Sequence, residues 1–272
     1  MRTIKFLKKK IPVKLFVFFV FLIFIFGVIY FLYHRLRSQV DIYVSVSLVR
    51  PQNITINAPY NWIPYWMANS INAGDKEVNP FGKIIATVVK KDAYEAYYYG
   101  QNVYLLLKVQ ANQDKTGILL YKNKPLVVGG NLDLKLSKSV LTGTIIYVGN
   151  KPQDVKIKKL IVKAKAKYID FWITDGINIG DSIIDNNNVR IAKIIDKTVN
   201  FAEARSDTSN GQARVTYDTI KRDLDLKIEI TVKNIKEINY FMETQKVKIN
   251  EWLNFPFPSE LINAVITEIK EQ

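Results

Sequence analysis

The chain carries one sequence pattern twice, and this repeat limits its possible folds more than any other feature. Trp66 is followed eight residues later by Gly74-Asp75, and Trp172 is followed at the same distance by Gly180-Asp181. The separation of 106 residues also relates the Ile and Asn before each Gly-Asp pair and much of the apolar run after it. So many matches at one gap-free separation indicate an internal duplication.

Each copy opens and closes with a run that alternates in polarity or is rich in β-branched residues. These runs are 43–49 and 142–148 in the first copy and 160–166 and 262–267 in the second. A period of two and a high content of Val, Ile and Thr are typical of β-strands. We therefore predict a mainly β fold of two related β units, 41–150 and 151–272, each barrel- or sandwich-like.

A shorter repeat lies inside the copies. In the first copy a glycine turn precedes an apolar strand twice, at Gly74 and at Gly129. In the second copy Asn250 and Asn263 stand near the positions where the later glycines are expected. Because Asn tolerates positive φ, we expect a turn to survive this exchange.

The second copy contains an insertion. Downstream of the Gly-Asp pairs the separation widens from 106 to 123, so about seventeen extra residues are present. They fall in 206–222, which is rich in Ser, Thr, Asn, Asp and Gly. This composition predicts a loop.

The last segment gives conflicting signals. Two prolines followed by Ser259 favour a C-terminal helix by local rules. The duplication and the Val, Ile and Thr content of 262–267 favour a strand. We predict a strand.

An apolar segment near the N-terminus, 15–33, contains nineteen residues without a charge. A helix of this length rises about 28 Å, close to the roughly 30 Å hydrocarbon thickness of a bilayer. We predict a transmembrane helix over 15–33, preceded by a basic tail over 1–14 and followed by a linker over 34–40. The tail holds more Lys and Arg than the linker, so the positive-inside rule places the N-terminus in the cytoplasm and the β units outside it.

The charge and the rare residue types exclude several kinds of function. The chain has a net charge of +14, but its first 40 residues hold eight Lys and Arg and no acid, which leaves +6 for the rest. We therefore predict no nucleic-acid partner. The chain has no Cys, and its single His, His34, lies beside the apolar segment. Without thiol or imidazole groups in the β units, we predict no catalytic residue, no metal and no cofactor.

The two Gly-Asp pairs admit two interpretations. In the first, the glycines take positive φ and the aspartates accept backbone hydrogen bonds, which makes structural turns of Gly74, Asp75, Gly180 and Asp181. In the second, the two carboxylates act together as the acids of a hydrolase. We favour the turns. The run 185–188, Asp-Asn-Asn-Asn, offers oxygen ligands for calcium but lacks EF-hand spacing, and we interpret it as a hairpin tip.

A lysine row is the first candidate surface for binding a partner. Lys163, Lys165 and Lys167 alternate with small apolar residues, so they share one face of a predicted strand. Such a row suits acidic envelope polymers or lipid headgroups. The alternative is that the lysines protect an exposed sheet edge from unwanted pairing.

A group of aromatic residues is the second candidate. Its members, within the densest aromatic region of the β units, are Trp62, Tyr65, Trp66, Tyr97 and Tyr98. Rings of this kind stack on sugars or contact a protein partner. The alternative is packing in the core.

A combination of features resembles a known bacterial family. A basic-flanked N-terminal anchor occurs with Ile-Asn-x-Gly-Asp at 71–75, Gly-Lys-Ile-Ile-Ala-Thr-Val at 82–88, and the glycine turns of 125–129 and 143–146. The combination resembles the family called domain of unknown function 4330. The resemblance covers about residues 15–150, and the second copy is a more diverged version. It implies a membrane-anchored location and this β architecture, and it transfers no reaction and no site residues.

These features predict a single-pass membrane protein whose extracytoplasmic β units act as a non-catalytic binding or scaffold component of the cell envelope. Its predicted partners are the lipid bilayer and other membrane or envelope proteins. Two alternatives stay open, a carboxylate-dependent hydrolase of envelope polysaccharide and an adaptor subunit of an export system. The adaptor is disfavoured because the sequence has no long heptad hairpin.

Overall fold

The computed structural model describes residues 13–37, 39–49, 62–96, 100–207 and 213–272. The helices in these ranges are α1 Val13–Arg37, α2 Tyr65–Asn69 and α3 Phe171–Asp175. The strands before residue 150 are β1 Gln39–Val49, β2 Ile63–Pro64, β3 Lys76–Val78, β4 Ile84–Ala96, β5 Gly100–Gln113, β6 Leu119–Tyr121, β7 Lys124–Pro125, β8 Asn131–Lys135 and β9 Val140–Gly149. The later strands are β10 Lys156–Asp170, β11 Ser182–Ile184, β12 Arg190–Asp207, β13 Ala213–Ile235, β14 Ile238–Phe241, β15 Gln245–Lys246, β16 Trp252–Pro256 and β17 Leu261–Glu271.

The strands form two curled, barrel-like sheets with the same topology. The first sheet has the order β3-β4-β5-β1-β9-β8, and the second has the order β11-β12-β13-β10-β17-β16. These orders correspond strand by strand, and the short pair β6-β7 beside β5 corresponds to β14-β15 beside β13. The predicted mainly β class is confirmed, and the repeat read from the sequence is present as this shared strand order.

The interior of each sheet is built from the alternating apolar residues of its strands. Buried members in the first sheet include Val44, Val46, Leu48, Val88, Leu105, Leu107 and Ile145, and in the second Leu160, Val162, Ala164, Ile194, Leu226, Ile228 and Ile266. Each is at most 2% exposed. Burial of one Val, Leu or Ile side chain contributes roughly 1.5–3 kcal/mol, so this alternation supplies much of the driving force for folding.

Each sheet uses one backbone motif twice. The backbone N–H of the first residue of a two-residue turn donates to the carbonyl of a buried aliphatic residue. The carbonyl of the second turn residue accepts the N–H of that same aliphatic residue. The turns are Gly74-Asp75, Gly129-Gly130, Gly180-Asp181 and Asn250-Glu251, and their respective partners are Val88, Ile145, Ile194 and Ile266. All eight N···O distances lie between 2.8 and 3.0 Å.

A β-bulge follows the buried residue in all four motifs. The strand pairings skip one residue directly after it, at positions 89, 146, 195 and 267. A bulge bends its strand and increases the local twist. The four bulges therefore account for the curl of the two sheets.

Positive φ explains which residues form the turns. Gly74, Gly129 and Gly180 have φ of 93°, 87° and 99°, and Asn250 has φ of 67°. Asn250 thus replaces a glycine without loss of the turn, as predicted, whereas Asn263 lies within the regular strand β17.

Replacement of Gly74 or Gly180 by Ala is expected to lower the free energy of unfolding by about 1 kcal/mol or more. The added methyl group would meet no heavy atom within 4 Å at either position, so the loss comes from backbone strain alone. Denaturant unfolding of the full chain in detergent measures it. Gly74→Asn is the matched control, because Asn tolerates positive φ and adopts it in the equivalent turn at Asn250. If all three variants are equally stable, alanine at these positive-φ positions introduces no backbone strain.

The insertion of the second copy forms strands, and the prediction of a loop is wrong. β12 and β13 continue as a two-stranded ribbon in which Phe201 pairs with Arg222 and Asp207 pairs with Ala213. The five residues 208–212 lie outside the described part of the chain. Cross-strand pairing, which composition does not reveal, overrides the local preference of the polar residues. The first sheet has the same strand order without such a ribbon among its described residues.

The C-terminal segment is strand β17, which pairs with β10 and β16. The strand prediction is therefore confirmed. The helix-favouring Ser259 lies in the connection before the strand, and the alternation of buried Ile262, Ala264 and Ile266 decides the conformation.

The apolar N-terminal segment is helical, in α1. Between residues 17 and 31 every side chain except Leu22 is exposed, so the helix has no polar face and no buried face there. Among the described residues, no helix meets the length and hydropathy required of a membrane span. The transmembrane helix predicted over 15–33 is thus not confirmed.

The chain divides into two compact units. One contains α1 and the segment Gln110–Leu126, which carries β6 and β7. The other comprises Ile42–Val109 and Val127–Gln272. All residues of the cleft described below belong to the second unit.

Candidate ligand cleft

The short helices α2 and α3 are each fixed by a lysine that the repeat places identically. The Lys91 ammonium donates to the carbonyls of Ala68 at 2.9 Å and Ile71 at 3.0 Å. Lys197, 106 residues later, donates to the carbonyls of Thr174 at 2.7 Å and Ile177 at 2.5 Å. In each case one carbonyl lies in the last turn of the helix and the other lies two residues beyond its end, so each lysine bonds the helix to the turn that follows it. The lysine at α2 thereby fixes the helix that carries Tyr65 and Trp66.

Replacement of Lys91 or Lys197 by Met is expected to cost about 1–3 kcal/mol, because two carbonyls lose charged donors. Burial lowers the pKa of Lys91, with partial opposition from Asp75. The full-length variants are compared by chemical denaturation at pH 7. Lys138→Met, at an exposed position in the β8–β9 connection, is the control and should leave stability unchanged. If Lys138→Met loses as much stability as Lys91→Met, the hydrogen bonds of Lys91 to the two carbonyls do not account for the loss.

A buried ionic cluster joins the two sheets. Lys233 in β13 pairs with Asp92 in β4 at 3.1 Å and with Glu243, which follows β14. Glu243 also accepts a hydrogen bond from the Tyr94 hydroxyl at 2.9 Å. The side chains of Lys233, Asp92 and Glu243 are 17%, 13% and 14% exposed. Burial lowers the pKa of Lys233 and raises that of Tyr94.

Further contacts extend this junction. The hydroxyls of Tyr104 and Thr244 lie 3.1 Å apart, and the backbone N–H of Ala93 donates to the Asn186 side chain at 2.8 Å. Tyr94 also packs within the apolar core of the second sheet, as does Tyr104. Side chains from both repeats therefore hold the ends of β4 and β5 against the second sheet.

Beside this junction lies a cleft made of two adjoining cavities of about 180 and 400 Å³. Both cavities are lined by Glu95, Pro256 and Leu261. The smaller one also has Ala96, Asn102, Met242, Thr244, Gln245, Asn254 and Asn263 in its walls. The larger one also has Tyr65, Ser182, Ile183, Ile184, Phe257, Pro258 and Glu260. The three shared residues show that the two cavities are adjacent, and we describe them together as the cleft.

The polar part of the cleft is held in place by hydrogen bonds to Glu95. Its carboxylate accepts from the hydroxyl of Tyr65 and from the amide of Gln101, the latter at 3.1 Å. Burial, reinforced by this bond to Glu95, raises the pKa of Tyr65 to about 12. Tyr65 therefore keeps its proton at neutral pH and acts as a donor.

The lining has a distinct chemical character. It combines two carboxylates, several amides and hydroxyls, and apolar surface from proline, leucine and aromatic rings. Among the described residues that line the two cavities there is no Lys, Arg or His. The two carboxylates, Glu95 and Glu260, give the described lining a negative charge, although the whole chain is strongly basic.

The structure separates the predicted aromatic group. Trp62 is 2% exposed and packs in the core, so it offers no surface for a partner. Tyr65 lines the cleft, and Trp66, its neighbour on α2, is 67% exposed. Tyr97 and Tyr98 lie outside the described residues.

The predicted lysine row lies on β10, which is paired on both sides, with β13 and β17. The interpretation of these lysines as guards of a sheet edge is therefore wrong. Lys163 pairs with Glu268 at 2.6 Å and Lys165 with Asp225 at 3.2 Å, whereas Lys167 is exposed. Hydrogen bonds from Lys163 and Lys270 hold the pKa of Glu268 down to about 2. Neighbouring strands thus supply counter-charges to much of the row.

The Gly-Asp aspartates each serve their own turn. The Asp75 carboxylate accepts the N–H of Asn72 at 2.8 Å, and Asp181 does the same for Asn178. Neither aspartate lines the two cavities. The run 185–188 is the tip of the β11–β12 hairpin, where Asp185 accepts the N–H of Asn187 and of Val189.

Sequence reasoning missed most residues of the cleft. Glu95, Asn254 and Asn263 form no motif along the chain, because they come from different strands and from both repeats. The one local signal is that Asn254 and Asn263 interrupt runs of apolar and β-branched residues. Comparisons of the chain with protein-family models, with curated proteins and with solved structures find no match. The resemblance to domain of unknown function 4330 therefore stays a prediction.

Proposed function

We propose that this chain is a membrane-anchored, extracytoplasmic binding protein that holds a ligand of the cell envelope in the cleft without catalysing a reaction. The observation that carries the proposal is the cleft itself, which both repeats build and which combines fixed polar groups with apolar surface. Binding sites typically have this mixture, in which apolar surface supplies affinity and a few polar groups fix orientation.

Two features support the membrane anchor. Residues 15–33 contain no charge, and the side chains of α1 between 17 and 31 are apolar and exposed on all sides. A helix that is apolar all round is unfavourable in water and is stabilised by a lipid or protein environment. The basic residues of 1–14 suit the cytoplasmic face of such an anchor.

Membrane extraction tests the anchor. If the helix lies in lipid, full-length protein should stay with the membrane pellet in alkaline carbonate and move to the supernatant only with detergent. Protease added outside intact cells, with any outer barrier opened, should digest the β region. Extraction by carbonate alone, or protection of that region from protease, would refute the anchor or its orientation.

Photo-crosslinking tests the binding role of the cleft. A photoreactive amino acid at Asn254 should capture an envelope component in native membranes, because this exposed residue lines the smaller cavity. The same group at Lys138, which is exposed and lines neither cavity, is the matched control. Equal capture from both positions would count against the cleft.

One observation favours a second function, a hydrolase that uses two carboxylates. Glu95 and Glu260 line the same cavity, and a pair of acids across a bound sugar is the machinery of most glycosidases. In that case Glu95→Gln and Glu260→Gln would abolish release of reducing sugar from envelope polysaccharide. In the binding case wild-type protein releases none.

A further inference from the structure

One pair of facing amides supplies open polar groups to the cleft. Asn254 and Asn263 lie directly opposite each other on the paired strands β16 and β17, and both are exposed. Side chains opposite each other in a pair of strands lie on the same face about 5 Å apart. No hydrogen bond within the described part of the chain uses the side-chain amide of either residue. Each amide therefore presents two donors and one carbonyl acceptor to the cleft.

The first repeat shows what a closed version of this pair looks like. At the corresponding place on β8 and β9, Asp133 lies opposite Thr142, and the Thr142 hydroxyl donates to the Asp133 carboxylate at 3.0 Å. The facing pair of the first repeat thus forms a hydrogen bond between its own side chains, whereas the equivalent pair of the second repeat does not. Stability of the sheet does not require the open arrangement.

The groups around the amide pair limit the chemistry of the ligand. Glu95 is fixed by Tyr65 and Gln101 and offers a carboxylate acceptor. Pro256 and Leu261 are common to both cavities, and Phe257 adds an aromatic ring to the larger. Acceptors and amides close to apolar surface match the hydroxyls and the C–H faces of a sugar, and the described lining residues include no cation to hold an anion.

We propose that the cleft binds a neutral, hydroxyl-rich glycan, with the amides of Asn254 and Asn263 bonding its hydroxyls and Glu95 accepting a further one. The ring of Phe257 in the larger cavity supplies a stacking surface for a sugar face. The larger cavity, about 400 Å³, lies within the roughly 300–1,000 Å³ of ligand pockets and the smaller one, about 180 Å³, lies below it, so the occupant is a short stretch of glycan. This inference rests on the proposed binding role of the cleft.

Binding of defined probes to the full-length chain in detergent tests the proposal. The probes are cello-, malto- and chito-oligosaccharides, with oligogalacturonate as the anionic probe and an uncharged peptide of similar length as the non-sugar probe. Isothermal titration should detect at least one neutral oligosaccharide and no comparable binding of the other two. The variant N254A/N263A should weaken that binding at least tenfold, because the ligand hydroxyls lose their partners.

The matched control is D133A/T142A, which removes the facing pair of the first sheet. It should leave glycan affinity within twofold of wild type, and circular dichroism should show both double variants to be folded. Preferred binding of oligogalacturonate or of the peptide, or equal weakening by the two double variants, would overturn the assignment. If no neutral glycan binds but the photoreactive group at position 254 still captures an envelope component, the glycan assignment is wrong and the binding role stands. If neither glycan binding nor capture of an envelope component is detected, the proposed binding role is wrong as well.

Discussion

Replacement of Lys233 by Met is expected to lower the free energy of unfolding by about 3–5 kcal/mol, the range found when one partner of a buried ion pair is removed. Lys233 is the cation that faces both Asp92 and Glu243 at the junction of the two sheets. Without it, two carboxylates less than 15% exposed lose their shared cation, although Lys90 still pairs with Asp92 at 2.9 Å. Chemical denaturation of the full-length protein in detergent measures the loss.

A double variant separates charge from packing. Adding Glu243→Gln to Lys233→Met removes the charge of a carboxylate that has lost its cation, so the double variant should be more stable than Lys233→Met alone. Glu243→Gln by itself leaves the Tyr94 hydroxyl with an amide oxygen as acceptor. If the double variant is less stable than the single one, the cluster does not act through charge.

Replacement of Gly100 by Ala is the second change with a large expected effect, a loss of about 3 kcal/mol or more through overpacking. A methyl group there would overlap the carbonyl oxygen of Ile63 and lie 2.5 Å from Cε3 of Trp62. Trp62 is 2% exposed and Ile63 is fully buried, so neither can move away without disturbing the core. Thermal unfolding of the full-length variant, followed by circular dichroism, measures the shift in midpoint.

Gly149→Ala is the matched control for this overlap. Its methyl group would also overlap an oxygen, but that atom is the hydroxyl at the end of the Tyr147 side chain, which can rotate away. We expect a loss well below that of Gly100→Ala. Equal losses would mean that the rigid approach of β2 to β5 is not what requires glycine at position 100.

Local features of this fold were predictable from the sequence. The separation of 106 residues indicated the repeat, and the two Gly-Asp pairs indicated its turns, because positive φ and the hydrogen bonds accepted by the aspartates involve residues close along the chain. Alternating polarity gave the opening strand and the final strand of each copy. These signals act over a few residues, so they are readable without a partner segment.

The ribbon of β12 and β13 shows where such reasoning fails. Its polar, glycine-containing sequence predicts a loop, yet Glu203 to Asp207 pair with Ala213 to Tyr217. The interpretation of the lysine row on β10 as an exposed sheet edge fails for a similar reason. The position of a strand within a sheet is not encoded in the strand's own sequence. In both cases the deciding contacts join residues that are far apart along the chain.

The candidate cleft also depends on contacts between residues that are far apart along the chain. Asn254 and Asn263 face each other because β16 pairs with β17. Glu95 lines the same cavity because contacts between the two sheets, among them those of Lys233, hold β4 in place. The repeat, its glycine turns, its alternating strands and the apolar N-terminal helix are readable along the chain, since turns, alternation and helix formation are local. The convergence of polar groups on a cleft is a product of tertiary structure, because it depends on the packing of one copy against the other.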